Sequence, residues 1–131
     1  MRRWSWVTMV PALGAVVALG LTSVGYAAPA KGPKVLVAGK CSSSSTSKLK
    51  LSGEDGRIEV ELEVDQNRTG VRWAVTLTQN GTRIFAGSKV TKGASGSFEL
   101  RLLAANRSGR DTFGAHATAP SGETCNARAS L

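Results

Sequence analysis

The sequence predicts an all-β protein, an antiparallel β-sandwich of seven or eight short strands preceded by a signal-peptide helix. Three observations predict it. Apolar and polar residues alternate over whole segments, as in Ile58-Glu59-Val60-Glu61-Leu62-Glu63-Val64, and period two marks a strand with one buried face. Turn residues recur roughly every 8–12 positions, the spacing of sandwiches and barrels. No segment outside the leader holds a helical period.

The leader comes first. Met1-Arg2-Arg3 is a positive n-region, Val7 to Val24 is apolar and uncharged, and Gly25-Tyr26-Ala27 puts small residues where a signal peptidase inspects the chain. Cleavage is expected after Ala27, with Ala30 as the alternative. Residues 1–27 therefore read as signal peptide, 28–46 as a tether, short strand and Ser-rich loop, and 47–131 as the sandwich domain. An uncleaved leader is the one expected route to a membrane. Cleavage removes two of seventeen basic residues and none of nine acidic ones, so a net charge of +8 falls to +6.

The strands follow in order. Lys34 to Ala38 is a short first strand, and the small polar run Cys41 to Ser47 is a loop. Leu49 and Leu51 alternate with Lys48 and Lys50, and Ser52 to Gly56 reads as the loop before the Ile58–Val64 strand. A hairpin there is expected to set Lys50 opposite Glu59, Lys48 opposite Glu61, Leu51 opposite Ile58 and Leu49 opposite Val60. Val71, Trp73, Val75 and Leu77 form the next inward row, with Trp73 at the centre of the core. Asn80-Gly81 is the strongest hairpin signal, since both residues tolerate positive φ. It is expected to set Leu77 opposite Ile84 and Thr76 opposite Phe85, which places Phe85 outward. Phe98, Leu100 and Leu102 form one row, Phe113, Ala115 and Ala117 another, and Cys125, Ala127 and Ala129 the last.

The two cysteines lie in the exported part, where an oxidising compartment and an even count favour a Cys41–Cys125 disulfide. Without CxxC spacing its role is structural.

The order of these motifs resembles the immunoglobulin-like sandwich. Trp73 sits one strand after Ile58–Val64, where that family's strand-C tryptophan sits, and Asp111-Thr112-Phe113-Gly114-Ala115 resembles the family's Asp-x-Tyr-x-Cys stretch. Phe113 has no hydroxyl for a tyrosine corner, and Ala115 stands in the place of the inter-sheet cysteine. The whole chain also resembles small exported actinobacterial proteins of unassigned function.

The residues that could carry chemistry are few. His116 is the only histidine and by parity points to solvent. Asp111 has the opposite parity, so no Ser/His/Asp arrangement is expected. Glu59, Glu61 and Glu63 read as a solvated face partnered by lysines. One His and two Cys make no zinc site, and Glu54, Asp55 and Asp65 match no calcium loop. No catalytic residue, metal or cofactor is expected. Arg101, Arg107 and Arg110 cluster in sequence around one turn and form a candidate basic contact patch; Lys31, Lys34 and Lys40 add to it. Little aromatic interleaving accompanies them, so specific nucleic-acid recognition is not expected. The function expected is a secreted, non-enzymatic module, located extracellularly or at the cell envelope, whose partner is an anionic cell-wall polymer or an envelope protein. The alternative is an extracellular enzyme or inhibitor acting through loops.

Overall fold

The computed structural model describes residues 31–131, together with Gly14, Gly20, Ser23 and Gly25. The leader expected over residues 1–27 lies outside the described residues, those four positions apart. Nine strands follow: β1 (Lys31–Ala38), β2 (Lys40–Cys41), β3 (Thr46–Glu54), β4 (Arg57–Asp65), β5 (Arg72–Gln79), β6 (Thr82–Val90), β7 (Ser97–Ala105), β8 (Thr112–Thr118) and β9 (Thr124–Ser130). They form two antiparallel sheets, β1-β3-β4-β7 and β2-β9-β8-β5-β6, which pack as a β-sandwich. Among the described residues no helix is long and apolar enough to cross a membrane.

The alternating rows meet between the sheets. Leu49, Leu51, Ile58, Val60, Leu62, Val64, Phe98 and Leu100 of the first sheet pack against Trp73, Val75, Leu77, Phe113, Ala115 and Ala117 of the second. Trp73 is completely buried. Its ring lies 6.2 Å from that of Phe98, tilted by 56°, a separation within the range aromatic pairs favour. Its indole N–H donates to Gln66 Oε1 at 3.1 Å, which satisfies the one polar atom the ring buries.

Residues 31–46 are built into both sheets rather than trailing from them. β1 pairs with β3, and after Gly39 the chain enters the second sheet, where Lys40 and Cys41 pair with Asn126 and Cys125. Gly39 is needed at this crossing, because a Cβ there would collide with the Ser47 hydroxyl and the Asn126 carbonyl. The Cys41–Cys125 disulfide is formed, directly across the β2–β9 pair.

Two registers differ from those the sequence suggests. Leu51 faces Val60, Leu49 faces Leu62, Lys50 faces Glu61 and Lys48 faces Glu63, a slip of two residues. The cause is the turn. Only Asp55 and Gly56 are outside the strands, with φ of 47° and 72°, so a two-residue turn with both φ positive closes the hairpin. β3 accordingly runs on through Ser52-Gly53-Glu54. A slip of two keeps each side chain on its face, and the core row survives.

The second difference is a bulge. Asn80 and Gly81 make the turn, at φ 50° and 81°, and Gln79 and Thr78 pair with Thr82 and Arg83. The register then shifts, and Leu77 pairs with Phe85 and Thr76 with Ala86. The extra residue, Ile84, reverses the parity of the rest of β6. Phe85 therefore turns inward, half-buried against the core, with its ring over Gly87, where a Cβ would not fit.

Candidate functional site: a cationic face without carboxylates

The sheets differ in charge. The strands of the first sheet hold six cations (Lys31, Lys34, Lys48, Lys50, Arg57, Arg101) and six carboxylates (Glu54, Glu59, Glu61, Glu63, Asp65, Glu99). The strands of the second hold five cations (Lys40, Arg72, Arg83, Lys89, Arg128) and no carboxylate. The net positive charge of the sandwich is thus concentrated on one sheet.

The structure places Arg101 on a strand, apart from Arg107 and Arg110 of the expected patch, which lie on the loop that follows. Arg101 lies mid-strand on the outer face of the first sheet, across from Glu61. Its guanidinium reaches Glu59 at 3.4 Å, Glu61 at 3.1 Å and Glu99 at 2.9 Å. The charges of Glu61, Glu59 and Glu99, in that order, raise its pKa above the ordinary arginine value. A cation among three carboxylates offers no net field to an anion. Arg107 and Arg110 are exposed on the loop between β7 and β8. Arg107 lies close enough to Asp111 for its charge to act on it, and its backbone N–H donates to Asp111 Oδ2 at 3.0 Å. Lys34 sits in the first sheet opposite Ser52. Of the basic residues singled out in the sequence, Lys40 alone lies on the strands of the second sheet. The oxygen ligands also stay apart. Glu54 and Asp65 lie at opposite ends of the β3–β4 ladder, about 25 Å from each other at a strand's rise. Among the described residues no group of three or more His, Cys, Asp or Glu is placed to hold a metal.

The outer face of the second sheet can be built row by row from its registers. Arg72, Ala74, Thr76 and Thr78 alternate with the buried Trp73, Val75, Leu77 and Gln79 and so face outward. One row across the strands reads Ala86, Thr76, His116, Asn126, Lys40, and the next Arg83, Thr78, Gly114, Arg128. Small and hydroxyl side chains make a floor, and cations stand at both sides. Three strand spacings separate Arg83 from Arg128, about 14 Å. Gly114 keeps the floor low, since a Cβ there would stand 2.8 Å from Thr78 Oγ1.

Two adjoining hollows lie over this floor. One, of about 520 Å³, is lined by Lys40, Thr76, His116, Asn126 and the end of β1. The other, of about 330 Å³, reaches the Asn80-Gly81 turn and Thr112. Thr78, Gly114 and Arg128 line both. His116 is exposed, as its parity implies, and is held on two sides: Nδ1 lies 2.6 Å from Asn126 Oδ1 and Nε2 lies 3.1 Å from Thr118 Oγ1. Thr112 and Ser130 share a hydrogen bond of 2.9 Å at the far end. The face therefore presents hydroxyls and exposed cationic side chains, the donor set an anion needs.

Sequence reading missed Arg72, Arg83 and Arg128 because it looked for cations close together along the chain. The signal was present in another form: the segments that become β5, β6, β8 and β9 contain no Asp or Glu. No protein-family model, curated protein or solved structure matches the chain.

Proposed function

We propose that this chain is a secreted, non-enzymatic binding module of the cell envelope that holds an anionic wall polymer against the outer face of the second sheet. The observation that carries the reading is the charge partition. Four cations of that sheet, Lys40, Arg72, Arg83 and Arg128, lie on outward positions, and no strand of the sheet supplies a carboxylate to offset them. Electrostatic complementarity of this kind gathers a polyanion without a deep pocket. The leader and the disulfide support export, since a disulfide persists in an oxidising compartment.

Strand order supports an immunoglobulin-like reading. With β3, β4 and β7 as A, B and E, and with β5, β6, β8 and β9 as C, C′, F and G, the neighbours follow that fold's order. In this reading β1 and β2 are additions and strand D is missing. Such a fold carries no function by itself, so the proposal rests on the face.

The test is retention on purified anionic wall polymer at low and high salt. Lys40/Arg83/Arg128→Ala should weaken retention at least tenfold, and Arg101/Arg107/Arg110→Ala should leave it nearly unchanged. Raising salt from 0.1 M to 1 M should release the protein, because the screening length falls from about 10 Å to about 3 Å. Equal loss in both variants, or retention indifferent to salt, would overturn the proposal.

A further inference from the structure

We infer that the cleft at the loop end of the sandwich is a second binding site, for a neutral, hydroxyl-rich ligand of the saccharide class. Three loops meet there: residues 42–45, 66–71 and 119–123. Between them opens a cleft of about 830 Å³, within the range of ligand pockets.

The chemistry of its walls selects the ligand class. No apolar side chain lines it, so a lipid or an apolar peptide would have nothing to bury against. The walls carry two carboxylates, Asp65 and Glu123, and one guanidinium, Arg68, and Ser45 donates to the Glu123 carboxylate. The cleft therefore lacks the cationic excess that the second sheet's outer face offers a polyanion, and a ligand without negative charge meets no repulsion there. What remains is a mixture of donors and acceptors: the hydroxyls of Ser43, Ser44 and Thr46 and the amides of Gln66 and Asn67. A ligand that donates and accepts at every hydroxyl matches such a wall.

The cleft is also fastened before any ligand arrives. Ser45 N–H and Oγ–H donate to the Glu123 carboxylate at 3.1 and 2.5 Å. Ser42 exchanges hydrogen bonds with the Thr124 backbone at 2.8 and 2.9 Å, beside the disulfide. These contacts join the first and third loops. In the second loop, Gln66 N–H donates to the Gly96 carbonyl at 3.0 Å and the Thr91 hydroxyl to the Arg68 carbonyl at 2.6 Å. Gly96 lies so close to the Arg68 backbone that a Cβ would collide with it. Because the Trp73 indole occupies Gln66 Oε1, the carboxamide is oriented and its NH₂ is kept as a donor. Loops ordered in advance lose little entropy on binding. With no aromatic platform in the walls, affinity comes from hydrogen bonds alone, and a dissociation constant in the millimolar range is expected.

The experiment is titration of ¹⁵N-labelled protein with tetrasaccharides of glucose and of N-acetylglucosamine, read by amide shifts. Saturable shifts should appear at residues 42–46, 65–68 and 121–123 and be absent from β5, β6 and β8. Ser43 is exposed, so Ser43→Arg should preserve the spectrum elsewhere and weaken binding at least tenfold. Arg68→Ala is the second cleft variant should Ser43→Arg fail to fold. Arg128→Ala should leave saccharide binding unchanged, which separates this site from the polymer face. No saturable shift with either sugar, shifts centred elsewhere, or shifts that the cleft variants leave intact would overturn the inference.

Discussion

Asp111 has no accessible surface, yet it is held charged. Burial alone would raise its pKa. Hydrogen bonds from the Gln79 side chain at 3.0 Å, the Asn80 side chain at 2.8 Å and the Arg107 backbone at 3.0 Å outweigh that, assisted by the Arg107 charge, and the net pKa lies below the ordinary carboxylate value. A depressed native pKa contributes stability that is present above the unfolded value near 4. That stability is lost as pH falls through the native value. Asp111→Asn should cost about 1–3 kcal/mol at neutral pH, because one carboxylate acceptor becomes a donor facing donors. Thermal melts from pH 7 to pH 2 should show the gap between the two proteins narrowing below pH 4; a gap constant over that range would refute the role given to the charge. Trp73 was legible in the sequence, since an inward row of apolar residues centres on it. Asp111 was not. Strand parity says which residues face in, but a polar residue just before a strand shows neither its burial nor its partners, which come from positions 79, 80 and 107.

Elements were legible wherever one face is apolar, because a single side of the strand can be buried and parity decides which. Registers were legible only as far as turn chemistry was read in full. Alternation alone leaves Asp55-Gly56 inside a five-residue loop, Ser52 to Gly56, whereas a two-residue turn with two positive φ values accounts for the hairpin. The bulge at Ile84 had no sequence mark; its effect is to turn Phe85 inward against the core. β2 is the weakest element in isolation: two residues, paired only with Asn126 and Cys125. The disulfide anchors it, and with it the passage of the chain between the sheets. Removing the bridge with Cys41→Ala/Cys125→Ala should cost about 2–5 kcal/mol, the range for loss of a native disulfide from a small domain. The denaturant midpoint should fall accordingly. An unchanged midpoint would mean that β1 and Gly39 hold the crossing without the bridge.

At the scale of the whole molecule, the sandwich separates charge by sheet. Pairing alone brings this about: β4, with four carboxylates, lies between lysine-bearing β3 and arginine-bearing β7, so the first sheet neutralises itself. The second sheet draws its strands from segments without Asp or Glu. Under the proposed function, one cationic face would take up a polyanion from one side only and would not bridge two polymer chains. Glu59/Glu61/Glu63→Gln tests this. It leaves the first sheet with six cations against three carboxylates and removes two of the three partners of Arg101. The altered side chains are on the outer side of β4, alternating with the buried row, so the core is untouched. The variant should then present cations on both faces. Mixed with purified anionic wall polymer at low salt, it should cross-link the polymer and raise light scattering, whereas the unaltered protein at equal concentration should bind without turbidity. High salt should clear the scattering. Equal turbidity from the two proteins would show that the carboxylates of β4 do not confine binding to one face.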